Sequence, residues 1–301
     1  MLGSIETGGT KTVCAVGSGP SDLRDRLTVA TTTPAKTLGA VVAHLERHRG
    51  ELAAVGVAAF GPLDLDRRSP GYGRIMRTPK PGWEGADLVG PLARALGVPV
   101  ALDTDVNGAA LAEARWGVAQ GLDTFAYVTV GTGVGGGCVH AGTPLRGLMH
   151  PEMGHVRLPR RDGDPLERGT CPFHADCWEG WVAKRALERR WGAGVQASDL
   201  GDRELELVAH YIAAGVIDIV CVLSPLRVVL GGGIVLGGGE PHRDRVLALV
   251  RAEVVALLGG YPPHPELGEH IDRYVVAAEL GADAGVLGGI ELARRRLAEV
   301  W

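Results

Sequence analysis

The sequence predicts an α/β fold on three observations: two β-hairpins of one design, apolar strand runs alternating with amphipathic helical runs, and an aliphatic, glycine-rich composition. In the first hairpin, residues 2–16 run apolar, turn at Gly8-Gly9-Thr10-Lys11 and run apolar again. Residues 125–140 repeat the plan around Gly131-Thr132-Gly133-Val134-Gly135. A glycine-rich turn lets backbone amides approach an anion closely, because no Cβ stands in the way. Two such turns more than a hundred residues apart suggest two jaws on one polyphosphate, and hence a nucleotide-using enzyme. Two tight hairpins without a ligand would also carry glycines there.

Between the hairpins, residues 37–48 read as an amphipathic helix and 52–60 as a buried strand. A helix over 86–96, a strand over 98–102 and a helix over 107–116 follow. This alternation gives a largely parallel sheet with helices on its faces. The second half holds the second hairpin, a loop rich in cysteine and histidine, and a helical tract from 179 to about 223. A strand over 227–230 meets Gly231-Gly232-Gly233, and a final helix over 283–300 carries Arg294-Arg295-Arg296.

Two better-known phosphate motifs are excluded. Gly3 to Gly8 has P-loop spacing, but Gly9 stands where that loop needs its lysine. Gly131, Gly133 and Gly136 match the dinucleotide fingerprint, yet residues 137–142 are no helix opening, which the fingerprint requires.

With 301 residues, the chain suffices for one large domain or two modest ones. Apolar residues at 46% and charged at 22% are globular values, and a net charge of −4 gives no basic footprint for nucleic acid. The 46 glycines against 3 Phe and 5 Tyr point to tight turns and an aliphatic core. A first strand from Leu2 leaves no leader to expect, and no apolar run of about 18 residues stands out as a membrane span. The cytoplasm is the expected compartment.

Five cysteines, an odd number, argue against a disulfide framework. Cys14, Cys138 and Cys221 lie in apolar runs as expected core residues, while Cys171 and Cys177 flank His174 in a loop-like stretch. Thiolates and imidazole at three-residue spacing suit tetrahedral zinc, with His155, sixteen residues upstream, as the candidate fourth ligand. The alternative is a surface loop with two free thiols. Asp105, after an apolar strand and before the helix opened by Asn107, is the candidate general base. A carboxylate at the end of such a strand faces the ligand crevice. The position also suits a helix N-cap, and the two readings agree if Thr104 or Asn107 does the capping.

Five segments then carry a resemblance. Glu6-Thr7-Gly8-Gly9-Thr10-Lys11, Asp103-Thr104-Asp105-Val106-Asn107-Gly108, residues 130–137, Glu152-Met153-Gly154-His155 and Gly231-Gly232-Gly233-Ile234 stand in the order of the ROK (repressor, open reading frame, kinase) sugar kinases. Glu6, Gly61-Pro62-Leu63-Asp64-Leu65 and Thr78-Pro79-Lys80-Pro81-Gly82-Trp83 make the chain most similar to the bacterial fructokinases of that family.

The resemblance implies two ribonuclease H-like domains of the actin and hexokinase type with an active-site cleft between them. One would span 1–110, with a C-terminal helix at about 286–301 packing back on it; the other would span 111–285 with the zinc loop. It implies ATP-dependent phosphorylation of fructose at its 6-hydroxyl, with Asp105 as the base. The family's usual Asn before that base is Thr104 here, so one sugar contact differs. Glu152, His155, Glu179, Thr104 and Gly61 become sugar-binding candidates, with His155 standing between sugar and zinc. Gly8, Gly9, Thr10 and Lys11 would meet the β- and γ-phosphates, with Thr132 and Gly133 opposite. Gly231, Gly232 and Gly233 would pack against adenosine, and Glu6 would act on Mg²⁺ through water. The zinc is structural, held by His155, Cys171, His174 and Cys177. Here His174 takes the place of one of the family's three cysteines. The Trp83 loop would lie near the sugar. A homodimer is implied, with no nucleic acid or membrane partner. Glucose, mannose or N-acetylmannosamine are the alternative substrates, and a non-catalytic sugar sensor is a further alternative. A repressor of the family would need an N-terminal DNA-reading domain, for which a strand starting at Leu2 leaves no room.

Overall fold

The computed structural model describes residues 1–299. In chain order, β1 (Leu2–Thr7), β2 (Lys11–Gly17) and β3 (Leu23–Ala30) precede α1 (Pro34–Glu46), β4 (Ala54–Ala59), α2 (Gly90–Leu96), β5 (Val100–Thr104) and α3 (Asp105–Trp116). Next come β6 (Phe125–Val130), β7 (Val134–His140), β8 (Thr143–Pro144), α4 (Trp178–Val182), α5 (Lys184–Trp191) and α6 (Asp202–Leu223). The chain closes with β9 (Val228–Gly231), α7 (Gly233–Leu236), α8 (Gly239–Leu258), α9 (Ile271–Tyr274), β10 (Val275–Ala277) and α10 (Ala284–Leu297).

Two compact units result, one of residues 1–121, 139–151 and 282 onward, the other of 122–138 and 152–281. The first unit thus continues past Ala110 through Gly121. Val300, where the last helix was expected to end, and Trp301 lie outside the described residues.

The first sheet has the order β3-β2-β1-β4-β5. β1, β4 and β5 run parallel, but β2 and β3 add two antiparallel pairs, so the sheet is mixed where a largely parallel one was expected. The unforeseen β3 is an edge strand with Arg24, Asp25 and Arg26 exposed. Charge of this kind discourages pairing with another chain and hides the strand from an apolar-pattern search. α1 opens on Pro34 behind Thr33, whose hydroxyl accepts from the Lys36 amide, and buries Leu38, Val41 and Leu45. These pack with Ile5, Val55, Val57, Leu92 and Leu96 in one aliphatic core.

α10 covers the other face by backbone-to-backbone approach. A Cβ at Gly56 would lie 1.9 Å from the Gly289 carbonyl oxygen, and one at Gly288 2.3 Å from the Gly108 carbonyl carbon. The Ser4 hydroxyl donates to the Val286 carbonyl across the same contact.

The second sheet has the order β10-β9-β6-β7-β8, with β6, β9 and β10 parallel. The helical tract expected from 179 to about 223 is divided into three helices. Gly192 and Gly194 take φ of 111° and 82° and end α5, and α6 starts only after Gly201. The helix expected from Ala86 starts at Gly90, because the Asp87 carboxylate first accepts the amides of Val89 and Gly90 at 3.0 and 2.7 Å. α6 corrects another expectation. By length and composition it could cross a membrane, with mean hydropathy 1.9 over 18 residues, but 56% of that window is buried in the fold and it packs on α8 and α4. Cys14 and Cys138 are buried as expected, whereas Cys221 on α6 is exposed.

A buried polar knot braces the second unit. Arg190 on α5 grips Asp164 through two hydrogen bonds of 2.9 and 2.6 Å, and Tyr211 on α6 donates to the same carboxylate at 2.6 Å. Burial alone would raise the Asp164 carboxyl. The bonds from Arg190, Tyr211 and the Leu166 amide outweigh it and hold the group below its ordinary value. The stability this contributes is present at neutral pH and is lost as the carboxylate is protonated in acid. Breaking the knot leaves a buried guanidinium without its counter-charge. Asp164→Asn should therefore lower the unfolding free energy by about 3–5 kcal/mol, read as a fall in the urea midpoint. A midpoint within experimental error of the parent would rule out that role.

Candidate functional site

In the first unit, strand register gathers the predicted residues. Thr7 of β1 lies opposite Ala59 of β4, and Ala59 opposite Thr104 of β5, so three parallel strands end together. Glu6, Gly61, Thr104 and Asp105 all stand at this carboxyl end, where ligands of open α/β sheets bind. The first turn is closed by the Gly8 amide on the Lys11 carbonyl at 3.0 Å. Gly9, Thr10 and Lys11 are exposed, and the Lys80 ammonium reaches over to the Gly9 carbonyl at 2.6 Å.

The two readings of Asp105 resolve locally. Thr104 is the N-cap, its hydroxyl accepting the Asn107 amide at 3.1 Å, while Asp105 is the first residue of α3. The Asp105 carboxylate, half-buried, takes the Val106 amide at 2.9 Å. Burial raises its pKa and that amide opposes the rise. Glu6 is pushed up to about 7, by burial first and by the Asp105 charge second, with Lys11 and Arg26 pulling the other way. Gly285 in the first turn of α10 makes room for Glu6, since a Cβ there would lie 2.3 Å from its carboxyl carbon.

Three supports of this edge escaped the sequence reading. Asp103 is fully buried, accepts from the Thr104 amide and Asn107 side chain at 2.8 Å each, and pairs with Arg146. His150 is buried against Gly61 and accepts the Leu63 amide at 3.0 Å, with its pKa lowered by burial. These partners lie 43 and 87 residues apart in sequence, so no local pattern announces them. Trp83 is a packing residue, fully buried edge-on against Phe60, with its indole N–H on the Thr32 carbonyl at 2.7 Å. A cavity of about 380 Å³ in this unit, lined by His140, Thr143, Arg146 and Arg295 among others, includes none of the predicted site residues.

In the second unit, Thr129 of β6 lies opposite Gly231 of β9, so the Gly131–Gly133 turn and Gly231–Gly233 share one strand end. The turn is closed by the Gly131 amide on the Gly133 carbonyl at 2.8 Å, and Thr132 is exposed. Gly232, at φ 88°, sits so close to Val130 that a Cβ would lie 2.4 Å from its carbonyl oxygen. Glu152 precedes a 3-10 turn over Met153–His155 that seats itself on β7, since a Gly154 Cβ would lie 2.0 Å from the Val134 carbonyl oxygen. Glu179 was expected to face sugar. One of its oxygens, Oε2, accepts the Val134 amide at 3.1 Å, and Gly133 leaves room for it.

The ligand atoms of His155, Cys171, His174 and Cys177 converge within 4.8 Å of one another. Cys171 Sγ lies 3.9 Å from His155 Nδ1 and 3.8 Å from His174 Nδ1. Metal bonds of about 2.3 Å to sulfur and 2.0 Å to nitrogen separate tetrahedral ligands by roughly 3.3–3.8 Å. The donor set and spacing therefore fit a zinc-like cation. Burial lowers the His155 pKa, which keeps the imidazole in its neutral, ligating form. Burial also pushes the Cys177 thiol up, and the neighbouring Cys171 adds to it. A bound cation would reverse that shift.

A fructokinase of Zymomonas mobilis is 40% identical over 299 residues, covering 97% of this chain and 96% of its own. The ROK hexokinase of Thermus thermophilus superposes with a TM-score of 0.76 at 31% identity, over 99% of both chains. A ROK glucokinase of Streptomyces griseus, solved with glucose and AMPPNP, gives 0.75 at 26% identity over 98% of this chain and 99% of its own. The ROK family model itself matches residues 2–296, spanning both glycine turns, the carboxylates and the Cys/His loop, and the chain belongs to the ROK family.

Proposed function

We propose that the protein is an ATP-dependent fructokinase, transferring the γ-phosphoryl group to the 6-hydroxyl of fructose. The observation that carries the reading is Asp105, a half-buried carboxylate released from capping by Thr104 at the shared strand end. Similarity to the fructokinase of Zymomonas mobilis at 40% identity supports fructose over other hexoses.

Asp105 accepts the hydroxyl proton as the oxygen attacks the γ-phosphorus and the bond to the β-γ bridging oxygen breaks, releasing ADP. Burial of Asp105 raises its basicity, which suits this role. On the first turn Gly8 shapes the loop, its amide closing on the Lys11 carbonyl, while the Gly9 and Thr10 amides and Lys11 are the phosphate contacts; on the second turn Thr132 and Gly133 are the phosphate contacts. Gly231, Gly232 and Gly233 leave bare backbone for the adenosine. Magnesium, when bound, neutralises phosphate charge, and Glu6 would hold it through water. Glu152, His155, Glu179, Thr104 and Gly61 orient the sugar. His155, Cys171, His174 and Cys177 would hold a structural zinc, which would fix the His155 ring and the loop leading into α4, where Glu179 lies.

A coupled ADP-release assay with Mg²⁺ against fructose, glucose, mannose and N-acetylmannosamine tests the reading. Fructose should give the highest kcat/KM; no turnover of any hexose would overturn it. Asp105→Asn should cut kcat by about 10²–10⁴-fold while fructose affinity stays within a few-fold. Near-parental kcat would remove Asp105 from the base role. Chelation should release about one zinc per chain and lower the thermal midpoint. Metal analysis finding no zinc in protein purified without chelator would refute the metal assignment.

A further inference from the structure

Glu179 makes a contact that sugar binding does not account for. It lies two residues after Cys177, at the start of α4, and its negative charge acts on His155. Its Oε2 accepts the amide of Val134 at 3.1 Å, the residue that follows the Gly131–Gly133 turn. Gly133 is shaped to this contact: a Cβ there would lie 2.6 Å from Oε2. The same turn is held on its other flank by the Lys184 amide, which donates to the Gly131 carbonyl at 2.8 Å. Lys184 opens the helix that follows α4. The turn is therefore gripped at both ends by the short segment 179–184, which begins beside the Cys/His cluster.

We infer that Glu179 is a positioning residue for nucleotide, fixing the second glycine turn through the Val134 amide and thereby coupling metal occupancy at the Cys/His cluster to ATP affinity. The inference rests on the kinase reading for the identity of the ligand. A glycine turn binds phosphate well only if its amides are already oriented, since ordering them on binding costs conformational entropy. A carboxylate bonded to a half-buried amide supplies that order more firmly than a neutral acceptor. A metal that fixes Cys177 fixes the start of α4, and so the carboxylate two residues on. One Glu179 oxygen holds the turn while the other is left for a sugar hydroxyl, which sets the hexose against the nucleotide turn in a single side chain.

Calorimetric titration of AMPPNP with Mg²⁺ into the zinc-loaded protein, with no sugar present, tests this without the sugar contact entering. Glu179→Ala should raise the nucleotide Kd by about tenfold or more, with zinc content unchanged. Glu179→Gln, whose amide oxygen still accepts the Val134 N–H, should keep Kd within about threefold while its fructose KM rises. Zinc removal should weaken nucleotide binding in the parent but add little in Glu179→Ala. Hydrogen exchange of the peptide spanning 131–137 should quicken in Glu179→Ala and after chelation. Parental nucleotide affinity in zinc-loaded Glu179→Ala would overturn the coupling while leaving the kinase reading intact. Absence of nucleotide binding by the parent would overturn both.

Discussion

Close approach of backbone to backbone is the constraint on which both units depend. In the first, Gly56 and Gly108 admit Gly289 and Gly288 of α10 to distances that any Cβ would forbid. In the second, Gly154 seats the Glu152–His155 turn on β7, and Gly232 lies against the end of β6. Interiors packed in this way hold peptide planes in one arrangement, because a shift of an ångström loses contacts along the whole element. The chain's high glycine content is thus invested in elements that must touch the site residues from behind. Glu6, Thr104, Asp105 and Glu179 stand on strand ends and helix starts close to those contacts.

The loop from Arg157 to Cys177 has little regular structure, and it is ordered by two different means. At one end is the buried pair of Asp164 and Arg190, closed by Tyr211, which in turn stacks on Trp181 with ring centroids 5.4 Å apart. At the other are the converging thiols and imidazoles of the Cys/His cluster. A buried ion pair is a poor source of net stability but a strong specifier of geometry, because every alternative arrangement leaves a charge unsatisfied. The ionic knot fixes the loop to α5 and α6, and the cluster brings it against the turn carrying His155.

Local pattern in the sequence is enough to locate both hairpins, β4, α3 and the four members of the Cys/His cluster. Each is announced by alternation, helical period or ligand spacing within a few residues. What it does not announce has physical reasons. β3 alternates too weakly because an exposed edge is charged. The breaks after α5 need glycines with positive φ, which composition alone does not distinguish from helix-tolerated ones. α8 opens on Gly239 and Pro241, a start that reads as loop. Asp103 with Arg146, His150 with Leu63, and Glu179 with Val134 are partners separated by 43, 87 and 45 residues. Such pairs exist only once the topology has been chosen. Glu179 is instructive, since its position beside Cys177 marks it as functional, while its grip on the glycine turn becomes visible only in three dimensions.

α10 gives the molecule a direction in time. The sheet of the first unit is made early, yet the helix that covers one of its faces comes after the whole of segment 152–281. During synthesis, the glycine-lined face formed by Gly56 and Gly108 waits uncovered while the second unit emerges. The second unit has all its own segments in hand before α10 leaves the ribosome, and can close first. The half that begins the chain is therefore the last to be completed, and a nascent chain stalled before residue 284 would hold a finished second unit beside an open first one.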